Sequence, residues 1–272
     1  MANGGLRTKE YFKTSIPDKP LITIITAVYN GETHLEETIQ SVINQTYENV
    51  EYIIIDGGST DKTLDIIHKY EEKIDYWSSE KDKGIYDAMN KGINLARGEW
   101  INFMNSGDTF YNKNVLNEIF VNPKIFKNTD FIYSDTLLDG KILHTCNIQT
   151  NVIIHQSLLY RRSLHQEKGL YLVYKNLLIS DYLFFMLCKD KHWYKSDVII
   201  SIYSTNGLSN KKFAIHLNQK IGTDLMFNNI SRVNATLMLL IYPSYRSLKN
   251  LLRKTIAYFK IKEDGKFEHH HE

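Results

Sequence analysis

LITIITAVYNGETHLEETIQSVINQTYENVEYIIIDGGSTD, residues 21–61, decides the fold class. It opens with Leu21–Tyr29, an apolar, β-branched run bounded by Pro20 and by Asn30-Gly31. Such a run predicts a strand buried on both faces, as strands of a helix-covered parallel sheet are. Leu35, Ile39, Val42 and Ile43 then fall at i, i+4, i+7 and i+8, the stripe of a helix. Val50–Ile55 predicts a second buried strand ending at Asp56-Gly57-Gly58, with Ser59 or Thr60 capping a helix whose apolar side is Leu64, Ile67 and Tyr70.

The same rhythm continues outward. A short strand near Tyr76–Ser78 precedes a helix over Ile85–Ala96, closed by Arg97-Gly98, and Trp100–Met104 is the next strand, leaving through Asn105-Ser106-Gly107-Asp108. Strand and helix alternating with short connections predict an α/β fold. It should be Rossmann-like, with a mostly parallel central sheet, right-handed crossovers and flanking helices. Ligands of such sheets bind beyond the carboxyl ends of the strands, and the polar clusters Thr26–Asn30, Asp56–Asp61 and Asn105–Asp108 sit at those ends. From about Asp130 the chain changes to short strand-like pieces, Phe131–Asp135, Thr136–Thr145 and Ser157–Arg161, before a helix near Tyr182–Lys189 and a strand near Val198–Tyr203. After about Lys211 the pattern is helical, Tyr-rich and basic toward its end (Arg246, Lys249, Arg253, Lys254, Lys260).

Composition narrows the function classes. A net charge of +2 disfavours nucleic-acid binding. Cys146 and Cys188 lack metal-site spacing, and no signal peptide is evident in Met1–Ser15, so the expected setting is a reducing cytoplasm with both thiols buried or inert. No stretch reaches the roughly 18–20 apolar residues that span a bilayer; the best, Ala235–Tyr242, stops at Pro243. A dinucleotide oxidoreductase would want Gly-x-Gly-x-x-Gly after the first strand, where Thr26–Gly31 offers one glycine. A nucleotidylyltransferase would carry a glycine-rich basic loop there. An aspartyl-nucleophile phosphatase would need an acid two residues after Asp56, where Gly58 stands.

Each candidate side chain has a chemical and a plain structural account. Asp56, at a strand tip before two glycines, is suited to accept hydrogen bonds from a base N–H or a ribose hydroxyl, or to form a turn. Asp108 is suited to hold a hard cation, or again to form a turn. Asp87, Asn90 and Lys91 share one helix face, fit to grip sugar and phosphate or merely solvated, and Asp82 is similar. Asp181 stands at a helix start, where an anion is stabilised, as a base or as a cap. His155-Gln156 is a polar pair or a structural histidine.

Taken in order, TAVYN, DGGSTD, SEKDKGIYDAMNKGI and FMNSGD resemble the donor-binding half of family 2 glycosyltransferases with the GT-A fold, of the bacterial polysaccharide type. The resemblance covers about Leu21–Phe110 closely and extends loosely to about Ser209. It implies a catalytic domain over residues 1–210, with a nucleotide-sugar half at about 20–110 and an acceptor half at about 130–210. A helical extension would follow at 211–267, and EHHHE at 268–272 looks like a tag remnant. The family pattern implies that Thr26, Tyr29 and Asn30 line a nucleotide pocket, with Asp56 on the base or ribose. Asp82, Asp87 and Lys91 would shape the ribose and donor-sugar site together with Ser106, and His155 and Gln156 would face donor and acceptor. Asp108 would take the metal position of the Asp-x-Asp motif with Mn²⁺ or Mg²⁺, and Asp181 would be the general base. Asn206-Gly207-Leu208-Ser209 resembles a loop that closes over the donor diphosphate.

The chain departs from the pattern at Asn105 and Gly107, where many members carry acids. The expected activity is an inverting transfer from a nucleotide-diphosphate sugar to a hydroxyl of a glycan or lipid-linked acceptor, in surface polysaccharide synthesis. Lys91 or Arg161-Arg162 would meet the leaving group's charge. The alternative is a non-catalytic sugar-nucleotide-binding or assembly protein of the same fold. The C-terminal section suits either an anionic bilayer surface, at the inner face of the membrane, or a homodimer contact.

Overall fold

The computed structural model describes residues 2–205, 207 and 211–240. The Asn206–Ser209 loop (apart from Gly207), the basic run after Tyr242 and the tag-like end lie outside the described residues. The chain divides into two compact units between Lys211 and Lys212.

In the first unit β1 (Ala2–Gly4) precedes the predicted alternation: β2 (Ile22–Val28), α1 (Leu35–Ile43), β3 (Val50–Asp56), α2 (Thr63–Lys69), β4 (Tyr76–Ser79), α3 (Ile85–Leu95) and β5 (Trp100–Phe103). β6 (Thr109–Phe110), α4 (Val115–Phe120) and α5 (Pro123–Lys127) follow. Next come β7 (Phe131–Tyr133), β8 (Thr136–Leu138), β9 (Ile142–His144), β10 (Leu158–Arg161), α6 (Leu164–Lys168), α7 (Ser180–Leu187), β11 (Trp193–Lys195) and β12 (Ser201–Tyr203). The central sheet has eight strands in the order β1-β4-β3-β2-β5-β10-β7-β11. β4, β3, β2 and β5 are mutually parallel, so their carboxyl ends share one rim. The chain winds outward from β2 through β3 to β4, then returns to place β5 on the other side of β2. That reversal makes the β2–β5 boundary a topological switch point, where ligands of such sheets bind.

Every residue of β2 and β3 is buried, as their uninterrupted apolar runs predict. α3 lies close on this pair. Gly92 comes so near Ile25 that a Cβ there would stand 2.5 Å from Ile25 Cγ2, and Met89 and Ile93 of the same helix are buried. Burying each such side chain contributes roughly 1.5–3 kcal/mol.

One expectation is corrected here. α2 begins at Thr63 rather than at Ser59 or Thr60; the Ser59 hydroxyl turns back to Asp56 instead. Beyond β5 the sheet is mixed, because β10 runs antiparallel to both β5 and β7. No α-helix separates β7 from β10 in the chain, and parallel pairing usually relies on a crossover of that kind. The piece read as Thr136–Thr145 is the β8–β9 hairpin of a second, four-stranded sheet ordered β6-β12-β8-β9. The second unit contains the helix Phe213–Met226, and residues 232–240 are helical.

Candidate active site

The loops after β2 and β3 are laced together at the rim. Asn30 N–H donates to Ser59 Oγ (2.7 Å), Gly31 N–H to Thr63 Oγ1 (2.8 Å) and Glu32 N–H to Asp61 Oδ2 (3.0 Å). In return Thr60 N–H donates to Asn30 Oδ1 (2.9 Å) and Lys62 N–H to Glu32 Oε2 (3.2 Å). Asn30 sits at φ 50°, a left-handed conformation that asparagine tolerates better than most residues. Tyr29 beside it is 64% exposed. On the β5 side, Ser106 closes against Gly31, and the Thr38 hydroxyl donates to the Asp108 carbonyl (2.8 Å) while accepting from Gly107 N–H. The β2 and β5 loops therefore share one floor.

Asp56 lies beneath this rim, fully buried. Its carboxylate accepts from the Ser59 N–H (3.1 Å), the Ser59 hydroxyl and the Ser79 hydroxyl (2.6 Å). The turn-forming account of Asp56 is the one its hydrogen bonds match: they bind the exit of β3 to the exit of β4.

Above it, the start of α3 carries a charged cluster. Lys91 Nζ meets Glu80 Oε1 at 2.8 Å and Asp87 Oδ2 at 3.6 Å. Burial lowers the Lys91 pKa, but Glu80, Asp87 and Asp82 more than offset this and hold it above the ordinary value. Asp82 accepts the Gly84 N–H (2.8 Å) and lies against Gly57, where a Cβ would come 2.4 Å from Asp82 Oδ2. Gly84 itself, at φ 118° and ψ 173°, occupies backbone territory open essentially to glycine alone. The α3 cluster and the β3 loop are thus in contact.

Asp108 is buried, with Oδ1 accepting Ser204 N–H (2.9 Å) and Oδ2 accepting Gln156 Nε2 (2.8 Å). Burial pushes its carboxyl up to about 7, against the pull of Ser204 and Gln156. A divalent cation is implied by the resemblance, and these residues do not fit a protein-built centre for it. The turn offers one carboxylate with both oxygens engaged and one unpartnered amide oxygen, Asn105 Oδ1. Among the described residues no three His, Cys, Asp or Glu side chains gather to hold a metal.

Asp181 stands in the first turn of α7 and is about a quarter exposed, 23% for its side chain. Tyr86 Oη donates to Oδ1 (2.7 Å), and His155 Nδ1 lies 3.1 Å from Oδ2. Burial alone would raise this carboxyl. The hydrogen bond and charge of His155, then Tyr86 and the Tyr182 N–H, hold it below the ordinary carboxylate value. His155 is buried between Phe103 and Phe185, its Nε2 3.3 Å from Tyr171 Oη. Tyr203, raised to about 12 by burial, also feels Asp108 and Asp181. With Gln156 next to His155 and Tyr86 next to Asp87, the α3 cluster, Asp108 and Asp181 belong to one continuous region.

Behind it, burial pushes His165 down to about 4, with the Gly169 carbonyl pulling upward and His155 downward. An imidazole of ordinary value 6.5 in the unfolded chain takes a proton before the folded chain does. The contribution to stability is therefore complete above about pH 6.5 and is lost as pH falls toward about 4. The urea midpoint of His165→Gln is therefore expected to gain on that of the wild type as pH falls across this window, the difference removing the opposite contribution of Asp108.

Several sequence candidates stand apart from this region. Thr26 is fully buried, its hydroxyl donating to the Met104 carbonyl (2.7 Å) and paired with Tyr52 Oη (3.0 Å); it joins β2 to β5 below the rim instead of lining a pocket. Arg161 and Arg162 are at the opposite end of the sheet. Arg161 lies over Trp100 and bonds Glu99 and the Phe126 carbonyl, while Arg162 bonds the Gly98 carbonyl. Arg161 pairs with Trp100 at the amino end of β5 and the Arg162 N–H donates to the Glu99 carbonyl, so leaving-group charge at the rim is out of their reach. Both cysteines are buried and unbridged, as expected. Tyr86, Tyr171, Ser204 and Tyr203 were not among the sequence candidates; Tyr86, inside the quoted GIYDAMN motif, carried the one usable signal.

Residues 23–167 match the model of the family described as glycosyl transferase family 2. A PGL/p-HBAD biosynthesis glycosyltransferase of Mycobacterium tuberculosis is 29% identical over 211 residues, covering 70% of this chain and 80% of that protein. An uncharacterized glycosyltransferase of Haemophilus influenzae is 31% identical over 185 residues, covering 62% and 72%. Among solved structures, Staphylococcus aureus TarS 1–349 in complex with UDP-GlcNAc superposes with a TM-score of 0.61 at 18% identity, over 80% of this chain and 70% of that one. The mannosyltransferase PcManGT of Pyrobaculum calidifontis, in complex with GDP-Man and Mn²⁺, gives 0.60 at 13% identity, over 86% and 74%.

Proposed function

Since the chain belongs to glycosyl transferase family 2 and has the GT-A architecture, we propose that it transfers a sugar with inversion from a nucleotide-diphosphate donor to a hydroxyl of a glycan or lipid-linked acceptor. The observation that carries this reading is Asp181: an anionic, partly exposed carboxylate, steered by Tyr86 and His155, in the same region as the laced loops.

In the proposed step Asp181 takes the acceptor hydroxyl's proton as the acceptor oxygen attacks the anomeric carbon. The bond from that carbon to the diphosphate oxygen breaks on the opposite face, and the nucleotide diphosphate departs with the electron pair. An alcohol is far too weak an acid to ionise beforehand, so the base must act as the bond forms. Tyr29, Asn30, Asp82, Asp87 and Ser106 are assigned to the donor, with Lys91 meeting phosphate charge and Gln156 fixing Asp108 beside it. Asp56 is assigned to support of this surface from below.

A panel of nucleotide diphosphates and their sugars, with and without Mn²⁺, tests the reading. One donor series is expected to raise the melting temperature; saturation at 100 times Kd adds about 2.7 kcal/mol of stability. No shift with any member would remove the donor assignment. The single engaged acid at Asp108 favours one second reading, a sugar-nucleotide binder without catalysis. Slow donor hydrolysis, absent in a binder, separates the two.

No helix among the described residues is long and apolar enough to cross a membrane. Val233, Leu237, Met238, Leu239 and Leu240 are exposed on residues 232–240, which supports a peripheral contact. Liposome co-sedimentation at low and high salt distinguishes a bilayer surface from a second copy of the chain.

A further inference from the structure

A continuous hydrogen-bonded chain runs from Asp181 into the core and ends at a backbone carbonyl. Asp181 Oδ2 faces His155 Nδ1 (3.1 Å), and His155 Nε2 faces Tyr171 Oη (3.3 Å). Tyr171 Oη faces Tyr160 Oη (2.8 Å), Tyr160 Oη faces His165 Nε2 (2.9 Å), and His165 Nδ1 faces the Gly169 carbonyl (3.0 Å). His155, Tyr160, His165 and Tyr171 are all buried.

The two ends fix how protons are distributed. A carbonyl oxygen only accepts, so His165 Nδ1 carries a hydrogen, and a neutral His165 then accepts at Nε2. Tyr160 must give its single proton to His165, and Tyr171 must give its own to Tyr160. Tyr171 is left able only to accept, so His155 Nε2 must carry a hydrogen. The Asp181 carboxylate at the other end also only accepts, so His155 Nδ1 must carry one too. Five hydrogen bonds between two terminal acceptors need five protons, and two neutral imidazoles with two phenols supply four.

We propose that this chain holds one proton more than its neutral members would, that the proton resides on the His155 ring beside Asp181, and that His155, Tyr171, Tyr160 and His165 act as positioning residues that keep Asp181 an oriented anion. The inference rests on Asp181 being the base of the proposed transfer. The extra proton belongs on His155 and not on His165, because only His155 meets an anion: its other contacts are Phe103, Phe185 and Tyr171. Among the described residues outside this hydrogen-bonded chain, the other titratable groups that interact with Asp181 are the neutral phenols Tyr86 and Tyr203. The exclusion of protons from buried His165 agrees with this placement. Loss of the proton would leave two lone pairs opposed at one link of the chain, freeing His155 to turn and Asp181 to lose its partner.

The test is long-range ¹H–¹⁵N correlation of the full chain labelled with ¹⁵N-histidine, with His155 assigned through contacts to the Phe103 and Phe185 rings. Both His155 ring nitrogens are expected to be protonated at pH 7, while His165 shows the neutral form with hydrogen on Nδ1. A His155 ring with one bare nitrogen at pH 7 would overturn the proposal without touching the assignment of Asp181. Tyr171→Phe removes the acceptor for Nε2–H. It is expected to leave one His155 ring nitrogen bare at pH 7, since Nε2 no longer has an acceptor to fill, and to reduce kcat about tenfold to a hundredfold, with donor KM unchanged. A His155 ring that stays doubly protonated at pH 7 in that variant would likewise sink the idea. Normal turnover by Asp181→Asn, with His155 still doubly protonated in the unaltered protein, would instead remove the base and leave the proton count standing.

Discussion

Asp181→Asn is expected to slow sugar transfer by about 10²–10⁴-fold, the usual contribution of a positioned base, while donor-induced stabilisation stays intact. The change is nearly isosteric. Tyr86 Oη can still donate to the remaining carbonyl oxygen, and the first turn of α7 keeps its packing through Tyr182, Phe184 and Phe185. What disappears is the anion: an amide cannot take the acceptor's proton, and His155 faces a neutral partner. A loss of this size corresponds to about 3–5.5 kcal/mol of barrier. Initial transfer rates beside donor thermal shifts measure the two quantities separately. Wild-type rates would take Asp181 out of the chemistry, and loss of the thermal shift would make it a donor ligand.

Asp56→Ala is expected to cost stability rather than chemistry, by about 3–5 kcal/mol, because hydrogen bonds to a charged acceptor contribute about 1.5–3 kcal/mol each and bonds that share one carboxylate do not add in full. Three donors would lose their acceptor inside a fully buried turn: the Ser59 N–H, the Ser59 hydroxyl and the Ser79 hydroxyl. The Ser59 hydroxyl also receives the Asn30 N–H, so the damage reaches the β2 loop. Against a total of roughly 5–15 kcal/mol, the urea midpoint should fall steeply with an unchanged slope. A midpoint shift of under about 1 kcal/mol would mean that water replaces the carboxylate there, and that Asp56 is available to a ligand after all.

The parallel half of the sheet was legible because its strands are buried on both faces. Ile22–Val28 and Val50–Asp56 have no exposed side to supply polar residues, so they read as unbroken apolar runs. The same burial hid Thr26, whose place at a strand end looked like a rim position although its hydroxyl joins β2 to β5. β1 could not be foreseen: Ala2–Gly4 has no pattern, and it is a strand only because β4 offers an edge. β6, β8, β9 and β12 are two or three residues long, and β6 and β8 meet β12 across more than sixty residues. At the site, the positions of Asp82, Asp87 and Asp108 followed from motifs. Tyr160, His165 and Tyr171 look like core aromatics in the sequence, and only the folded chain lines up their polar atoms.

The interlaced loops at the rim also constrain redesign. Each supplies partners to the other's backbone: Asn30 and Glu32 to Thr60 and Lys62, and Ser59, Asp61 and Thr63 to Asn30, Glu32 and Gly31. A chimera that imports one loop from a relative would strand amide hydrogens on both sides. The two segments behave as one structural unit, and a redesign that replaces either has to transplant them as a pair.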